Sequence, residues 1–399
     1  MPKLRALLLS PEAPYPVWGG GALRTASVLH YLAQHYDLDV LLFREPHASD
    51  PAAALPPGLA SRTRVIELPL HARTLPSRVQ RNALRLVRGV PPLWDRFSGF
   101  ESQVASFIQD RHYELAVIEH FWCAPYLRAI RSTAARVVIN LHNIESALHR
   151  RYGQAEGGIA RWAHTRFAHA YQQLEREWLP QFDLLLAASG DDARALQASN
   201  VIVYPNALPF RAQPAANNSD QRPVIAFSGN MEYHPNVQAV RWFAREIWPR
   251  ILQVRPDAQW LLIGKNEHAI QSLIAGSPQV RCTGMVEDAI AELSRATLAV
   301  VPLLSGSGTR LKILEAWAAG VPVVSTPLGA EGLELGSPSP PVQSASLALA
   351  TTAVEFSSTI VQLLNDPTAR AALARAGRRR FEHSFTWDAA WKVLSGAGL

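Results

Sequence analysis

"AVVPLLSGSGTRLKILEAWAAGVPVVST", residues 299–326, runs an apolar strand into a serine-glycine loop, then a segment of helical period, then a second apolar strand. A strand-helix-strand succession of this kind builds parallel sheets. In the loop Ser305-Gly306-Ser307-Gly308 the glycines permit close backbone approach, and Thr309 can cap the helix that follows. The open N–H groups at that helix start carry about half a positive charge, to which Arg310 and Lys312 add full charges. A diphosphate is the anion such a stretch suits. Glu315, further along the helix, can accept ribose hydroxyls clear of the phosphates. Taken without its surroundings, the same stretch is also a plain glycine-rich turn before a helix with solvated charges.

Outward from it, short apolar runs alternate with longer helical segments over the whole chain, an α/β pattern. Strands are expected near 4–10, 38–43, 64–68, 115–118, 136–141, 183–188 and 201–204, with helices at 22–35, 98–112, 145–180 and 191–198. These make one doubly wound domain over residues 1–205. Residues 206–222, "NALPFRAQPAANNSDQR", lack periodicity and read as a linker. A second alternation, 224–229, 236–253, 260–264, 267–275, 299–304, the helix from 309 and 321–326, makes a second nucleotide-fold domain over 223–384. Tail helices are expected near 352–366, 368–381 and 386–396, the last, within 385–399, crossing back to brace the first domain. Two such sheets place their strand C-termini opposite each other across a cleft, where open α/β sheets bind ligands.

The 399 residues, 48% hydrophobic and 18% charged, exclude a disordered chain and a miniature scaffold. An excess of 39 basic over 33 acidic residues favours anionic partners. Cys123 and Cys282 stand alone, which suggests neither a disulfide framework nor a zinc site and fits a reducing cytoplasm. The apolar run in "MPKLRALLLSPEAPYP" is cut off by Pro11 and Pro14 and reads as a buried strand rather than a signal segment. No apolar stretch approaches the roughly 18 residues of a spanning helix, so membrane contact would be peripheral. Residues 71–96, with arginines at 73, 78, 81, 85 and 88 among Val79, Leu84, Leu86 and Val87, form a basic amphipathic segment. It suits an anionic lipid surface and equally an ordinary surface helix facing its own domain; 145–180, with Arg150, Arg151, Arg161, Trp162 and Arg166, poses the same choice.

The opening pattern resembles the donor-site motif of retaining GT-B-fold glycosyltransferases of family 4 (glycosyl transferases group 1), in which two glutamates eight positions apart flank a phosphate-binding helix start. Glu315 in "LEAWAAGVPVVST" matches the second glutamate, while Ser307 stands at the first. The resemblance spans nearly the whole chain. "SPEAPYPVWGGG" at 10–21 resembles the family's first loop, with Gly19, Gly20 and Gly21 leading into a helix. "FSGNMEYHPN" at 227–236 takes the place of its glycine-arginine loop, keeping Gly229 but putting Asn230 where arginine is commonest. "YPNALP" and "FTWDAAWKVL" resemble structural markers, with Trp387 read as a packing residue.

His120 in "IEHFW" and His142 in "NLHNIES" follow strands and so sit at the ligand-binding edge. The resemblance implies that His142 lies near the transferred sugar and that His120 and Asn143 face the acceptor, although Asn143 and Glu145 can equally cap the next helix. It implies a catalytic set of His142, Arg310, Lys312 and Glu315, and donor contacts from Gly19, Gly20, Gly21, Gly229, Asn230, Gly306, Ser307, Gly308, Thr309 and Glu331, the last in a loop with Gly329. It further implies a nucleotide sugar as donor, a sugar or lipid-linked glycan as acceptor, no metal and no separate cofactor; no nucleic-acid partner is expected. Two rivals keep the same architecture: a sugar-nucleotide 2-epimerase, and a non-catalytic relative suggested by Ser307 and Asn230.

Overall fold

The computed structural model describes residues 3–17, 19–71, 74–213, 222–306, 311–333, 343–344 and 346–399. The central apolar runs of the first half are strands buried on both faces, as the inner strands of a parallel sheet must be; in β1 (Arg5–Ser10) only Arg5 is exposed. The order continues α1 (Gly20–His35), β2 (Asp37–Arg44), β3 (Arg62–Glu67), α2 (Leu75–Arg88), α3 (Pro92–Arg96), α4 (Glu101–Ile108), β4 (Tyr113–Glu119), α5 (Leu127–Ile130) and β5 (Ala134–Asn140). Then come α6 (Glu145–Ala155), α7 (Gly158–Trp178), β6 (Leu184–Ala187), α8 (Gly190–Leu196) and β7 (Val201–Val203). The strands pair in parallel in the order β3-β2-β1-β4-β5-β6-β7. Leu8 lies opposite Val40 on one side and Val117 on the other. Strand order reverses between β1 and β4, so the chain leaving β1, β4 and β5 borders the point where such sheets bind ligands.

The second half repeats the plan with β8 (Val224–Ser228), α9 (His234–Trp242), α10 (Trp248–Val254), β9 (Gln259–Ile263), α11 (Gln271–Ile274), β10 (Val280–Cys282), α12 (Ala289–Leu293), β11 (Leu298–Val301), α13 (Leu311–Ala318) and β12 (Val323–Ser325). It closes with β13 (Gln343–Ser344), β14 (Leu347–Leu349), α14 (Ala353–Asn365), α15 (Pro367–Ser384) and α16 (Trp387–Gly396). The sheet order is β10-β9-β8-β11-β12-β14-β13; among the described residues the β13–β14 pair is antiparallel and the other strand pairs are parallel. Its reversal falls between β8 and β11. The chain divides into one unit of Met1–Asn206 with Trp391–Leu399 and another of Ala207–Ala390. In the first, Trp391 Nε1 donates to Ser27 O at 3.1 Å and Arg136 to Ala397 O at 2.9 Å. In the second, Leu208 bridges to Thr386 and Trp387 Nε1 donates to Ala207 O at 3.2 Å. Among the described residues no helix is long and apolar enough to cross a membrane.

Three local features differ from expectation. Residues 145–180 are two helices, because the chain leaves the helical path before the Gly157-Gly158 pair, where Gly158 takes a φ of 59°. The 236–253 helix widens into a π turn over Phe243–Ile247, just before Pro249, which has no N–H to offer the preceding turn. The first amides of α6 are capped neither by Asn143 nor by Glu145: Glu175 of α7 accepts from Ser146 N at 2.9 Å and from Ser146 Oγ at 2.6 Å.

Glu145 is instead buried, 2% exposed, and burial pushes its carboxyl from the usual 4.5 up to about 8. An acid with a raised folded pKa holds an extra proton in the folded state, so its contribution is present below about 4.5 and lost as pH climbs to about 8. His149, pushed down to about 4 by burial and then by His164, acts in the opposite sense on the acid side. Thermal unfolding of the wild type and Glu145→Gln between these limits should therefore show the variant gaining several degrees in Tm relative to the wild type as pH rises toward 8. A gap that does not change with pH would refute the assignment.

Candidate functional site

In the first unit the site begins with a buried carboxylate. Glu119, the last residue of β4, is 0% exposed and accepts from Asn140 Nδ2 at 3.1 and 3.0 Å, from Thr25 Oγ1 at 3.2 Å and from His142 Nε2 at 2.7 Å. Asn140, the last residue of β5, in turn accepts from Arg24 Nε at 2.9 Å. The guanidinium of Arg24, also buried, donates to Tyr204 O at 2.5 Å and Asn206 Oδ1 at 3.1 Å. Burial holds Arg24 down to about 10 and raises Glu119, and the Asn140 amide opposes the latter shift first. Burial, then His120 and Arg24, push His142 well below its ordinary value, so the ring is neutral near pH 7. Because Glu119 accepts, Nε2 carries the proton of His142 and Nδ1 is left as an acceptor.

That acceptor faces the start of α1. A Cβ on Gly21 would lie 3.7 Å from His142 Nδ1 and 2.8 Å from Glu12 Oε2, so a side chain there would close this space. Gly19, with φ 98°, is the N-cap of α1 and makes no side-chain cap bond; Gly20 opens the helix. His120 stacks on His142 with ring centroids 3.6 Å apart and on Trp122 at 4.3 Å. Its backbone sits at φ 63°, a conformation that costs a side chain about 1–3 kcal/mol. Among the described residues neither ring nitrogen of His120 finds a hydrogen-bond partner, though Nε2 lies 3.6 Å from Glu12 Oε2. His120 holds the Glu12 carboxyl below its usual range. The structure thus brings His120, His142 and Gly21 together and adds Glu12 and Glu119, which the sequence did not single out. Asn143 lies one residue beyond His142, before the Ile144 N-cap.

In the second unit the site is built on two close backbones. Gly229, after β8, and Gly264, after β9, take φ of 147° and 133°, and a Cβ on Gly264 would run into Gly229 O. Gly229 N donates to Ile263 O at 2.8 Å. Lys312, in the first turn of α13, reaches back over Phe227 at 5.1 Å and donates from Nζ to Ser228 O at 2.6 Å. A Cβ on Gly229 would meet Lys312 Nζ, and Asn236 Nδ2 at 2.8 Å. Ser228 Oγ donates to Glu315 Oε2 at 3.3 Å. Burial raises the Glu315 carboxyl, opposed first by Lys312. Lys312, Glu315 and Gly229 therefore converge, joined by Asn236 and Gly264, which the sequence did not mark as ligands.

Asn230 has another role. Its Oδ1 accepts from Glu232 N at 3.1 Å and Asn266 Nδ2 at 2.9 Å, and its carbonyl accepts from Asn236 at 2.7 Å, so it shapes the loop. Ser305 donates to Gln238 of α9 at 2.7 Å, and Gly306 takes φ 113°. Ser307, Gly308, Thr309 and Arg310 lie outside the described residues. Glu331 follows the turn Leu328–Ala330 beyond β12, where Gly329 N donates to Thr326 Oγ1 at 2.9 Å.

Residues 222–366 match the family model described as Glycosyl transferases group 1. The chain is 32% identical over 152 residues, 35% of its length, to a GDP-mannose-dependent monoacylated alpha-(1-6)-phosphatidylinositol monomannoside mannosyltransferase of Corynebacterium glutamicum; the match spans 38% of that protein. Among solved structures it resembles sucrose-phosphate synthase from Thermosynechococcus elongatus, with a TM-score of 0.72 and 17% identity over 99% of this chain and 98% of that one. It also resembles Anabaena HepE in complex with UDP and glucose, with a TM-score of 0.66 and 14% identity over 99% of each chain.

The Glu119 network can be checked directly. In Glu119→Gln an amide N–H replaces one acceptor, so His142 should lose its Nε2–H preference in ¹⁵N NMR and unfolding free energy should fall by about 3 kcal/mol. An unchanged tautomer with unchanged stability would show that Glu119 does not set the ring.

Proposed function

Because the chain belongs to the glycosyl transferases of group 1, with the two Rossmann-like sheets of the GT-B fold, we propose that it moves a hexosyl group from a nucleoside-diphosphate sugar to a sugar or lipid-linked glycan, with retention of configuration. The observation that carries this reading is the convergence of Lys312, Gly229 and Glu315. A bare glycine backbone leaves room for a phosphate, and Lys312 supplies charge where the leaving diphosphate gains it. Glu315, one helical turn further on, would accept ribose hydroxyls. The mannosyltransferase relative uses GDP-mannose by its name, and HepE was solved with UDP; both support a nucleotide donor. Arg310 and the helix start at Thr309 are proposed to complete the phosphate contacts, with Ser307 and Gly308 against the sugar. A cytoplasmic site of action fits a nucleotide-sugar donor.

In the first unit, His142 Nδ1 would accept from a sugar hydroxyl, and Glu12 and His120 beside it would contact the acceptor substrate. The departing phosphate oxygen takes the acceptor's proton, so no protein base is needed. The protein's work is positioning and charge stabilisation. The sugar-nucleotide 2-epimerase reading draws support from Glu12 beside two histidines. Glu119 gives it none, since its oxygens are already engaged.

Calorimetric titration with UDP, GDP and ADP, followed by diphosphate release from the matching sugars with and without lipid extract, tests the reading. Lys312→Ala should weaken binding of the diphosphate and slow turnover by about 100-fold, and Glu315→Ala should weaken nucleotide binding by roughly tenfold or more. Binding to no nucleotide would sink the proposal, and an epimerised sugar formed from the donor alone would replace it.

A further inference from the structure

The apolar stripe of α2 is turned away from the core. Leu75, Val79, Ala83 and Val87 recur every four residues and share one face. That face is open to solvent: Leu75 is 72%, Val79 60% and Val87 78% exposed. The opposite side fastens the helix, with Arg85 Nε held by Asp95 at 2.8 Å and Leu86 O accepting from Arg166 Nε of α7 at 2.7 Å. An ordinary surface helix would point its apolar residues inward; this one points them out. At the start of α7, Ile159 is 82% and Trp162 57% exposed. Trp162 and Arg166 line one groove of about 410 Å³ with Arg88 of α2, so the two helices share a surface.

The sequence around both helices is basic. Between Glu67 and Asp95 there is no acidic residue and there are five arginines; between Glu156 and Glu175 there is again none, with Arg161 and Arg166. His71, beside α2, has its pKa lowered by burial and then by Arg96, Arg81 and Arg85, with Asp95 opposing.

We propose that α2 and the first turns of α7 form a docking face for an anionic lipid bilayer. The outward apolar side chains would enter the acyl boundary, and the exposed Arg88 and Arg161 near Trp162 would meet headgroup phosphates. A second copy of the chain suits this face poorly, since a two-fold contact would set the arginine-rich surface against itself. The inference goes beyond the transfer reading and does not depend on it.

The test is co-sedimentation of the full chain with phosphatidylcholine vesicles, with and without phosphatidylglycerol, and no nucleotide sugar present. Binding should favour the anionic vesicles by roughly tenfold or more and weaken with salt. Val79→Asp with Val87→Asp, at exposed positions and checked by thermal unfolding, should reduce it by about tenfold. Brominated lipid should quench a fluorescence component that disappears in Trp162→Phe. Equal binding to both vesicles, undiminished binding of the double variant, or an unquenched Trp162 would overturn the proposal. So would a solution dimer that the double variant dissolves, or binding to polyglutamate without binding to vesicles.

Discussion

The first unit turns on keeping one carboxyl group fully hydrogen-bonded out of contact with water. Removing an ion from water costs several kcal/mol, recovered only when its lone pairs are fully met. Glu119 meets that condition with donors from three directions: Thr25 of α1, Asn140 at the end of β5, and His142 just beyond it. The requirement spreads outward, because Asn140 can turn its amide to Glu119 only if its oxygen has a donor of its own. Arg24 supplies that donor and is itself held by Tyr204 and Asn206 at the end of the unit. A chain of buried polar groups thus fixes one imidazole tautomer at the point where strand order reverses. A sheet needs no such network to be stable; an imidazole needs one to present a defined acceptor.

The second unit solves its problem with backbone. Gly229 and Gly264 approach so closely that neither tolerates a side chain in its observed conformation. The space they leave is where Lys312 and Asn236 point. Asn230 cannot add a cation and instead spends its amide on Asn266 and Glu232, which makes it a scaffold for the loop. Lys312 is then the cation that the described residues bring to this spot, and Glu315 both depends on it and answers it: the ammonium offsets the burial that would otherwise protonate the carboxyl.

What the sequence revealed followed from how local each feature is. Alternating apolar runs predicted both sheets, and Lys312, Glu315 and Gly229 were legible because a loop-helix motif carries its chemistry within a few residues. Glu12, Asn236 and Gly264 were not, since each acquires its role from a partner on another strand: Gly264 means little until Gly229 is seen against it. The single helix expected over 145–180 failed because its periodicity persists across Gly157 and Gly158, where only the backbone breaks. The capping of α6 by Glu175 was hidden for the same reason, a contact between two helices rather than within one. Amphipathicity, finally, reads the same whichever way a helix is turned, so the outward stripe of α2 could be found only in the structure.

The basic excess of the chain follows from that last point. A net charge of +6 favoured anionic partners without choosing between a nucleotide and an acidic lipid surface. Yet five arginines without an acid fall between Glu67 and Asp95, in the first unit, and by themselves nearly equal the net charge of the whole chain. The described donor-side residues are close to balanced by comparison, with Lys312 set against Glu315. Charge density of that kind, beside apolar side chains left in water, destabilises an isolated protein through self-repulsion and exposed hydrocarbon alike. Both costs diminish against a surface that is anionic on its face and apolar beneath it. A diphosphate beside Lys312 and an anionic surface against α2 and α7, each proposed above on separate observations, would together account for that excess.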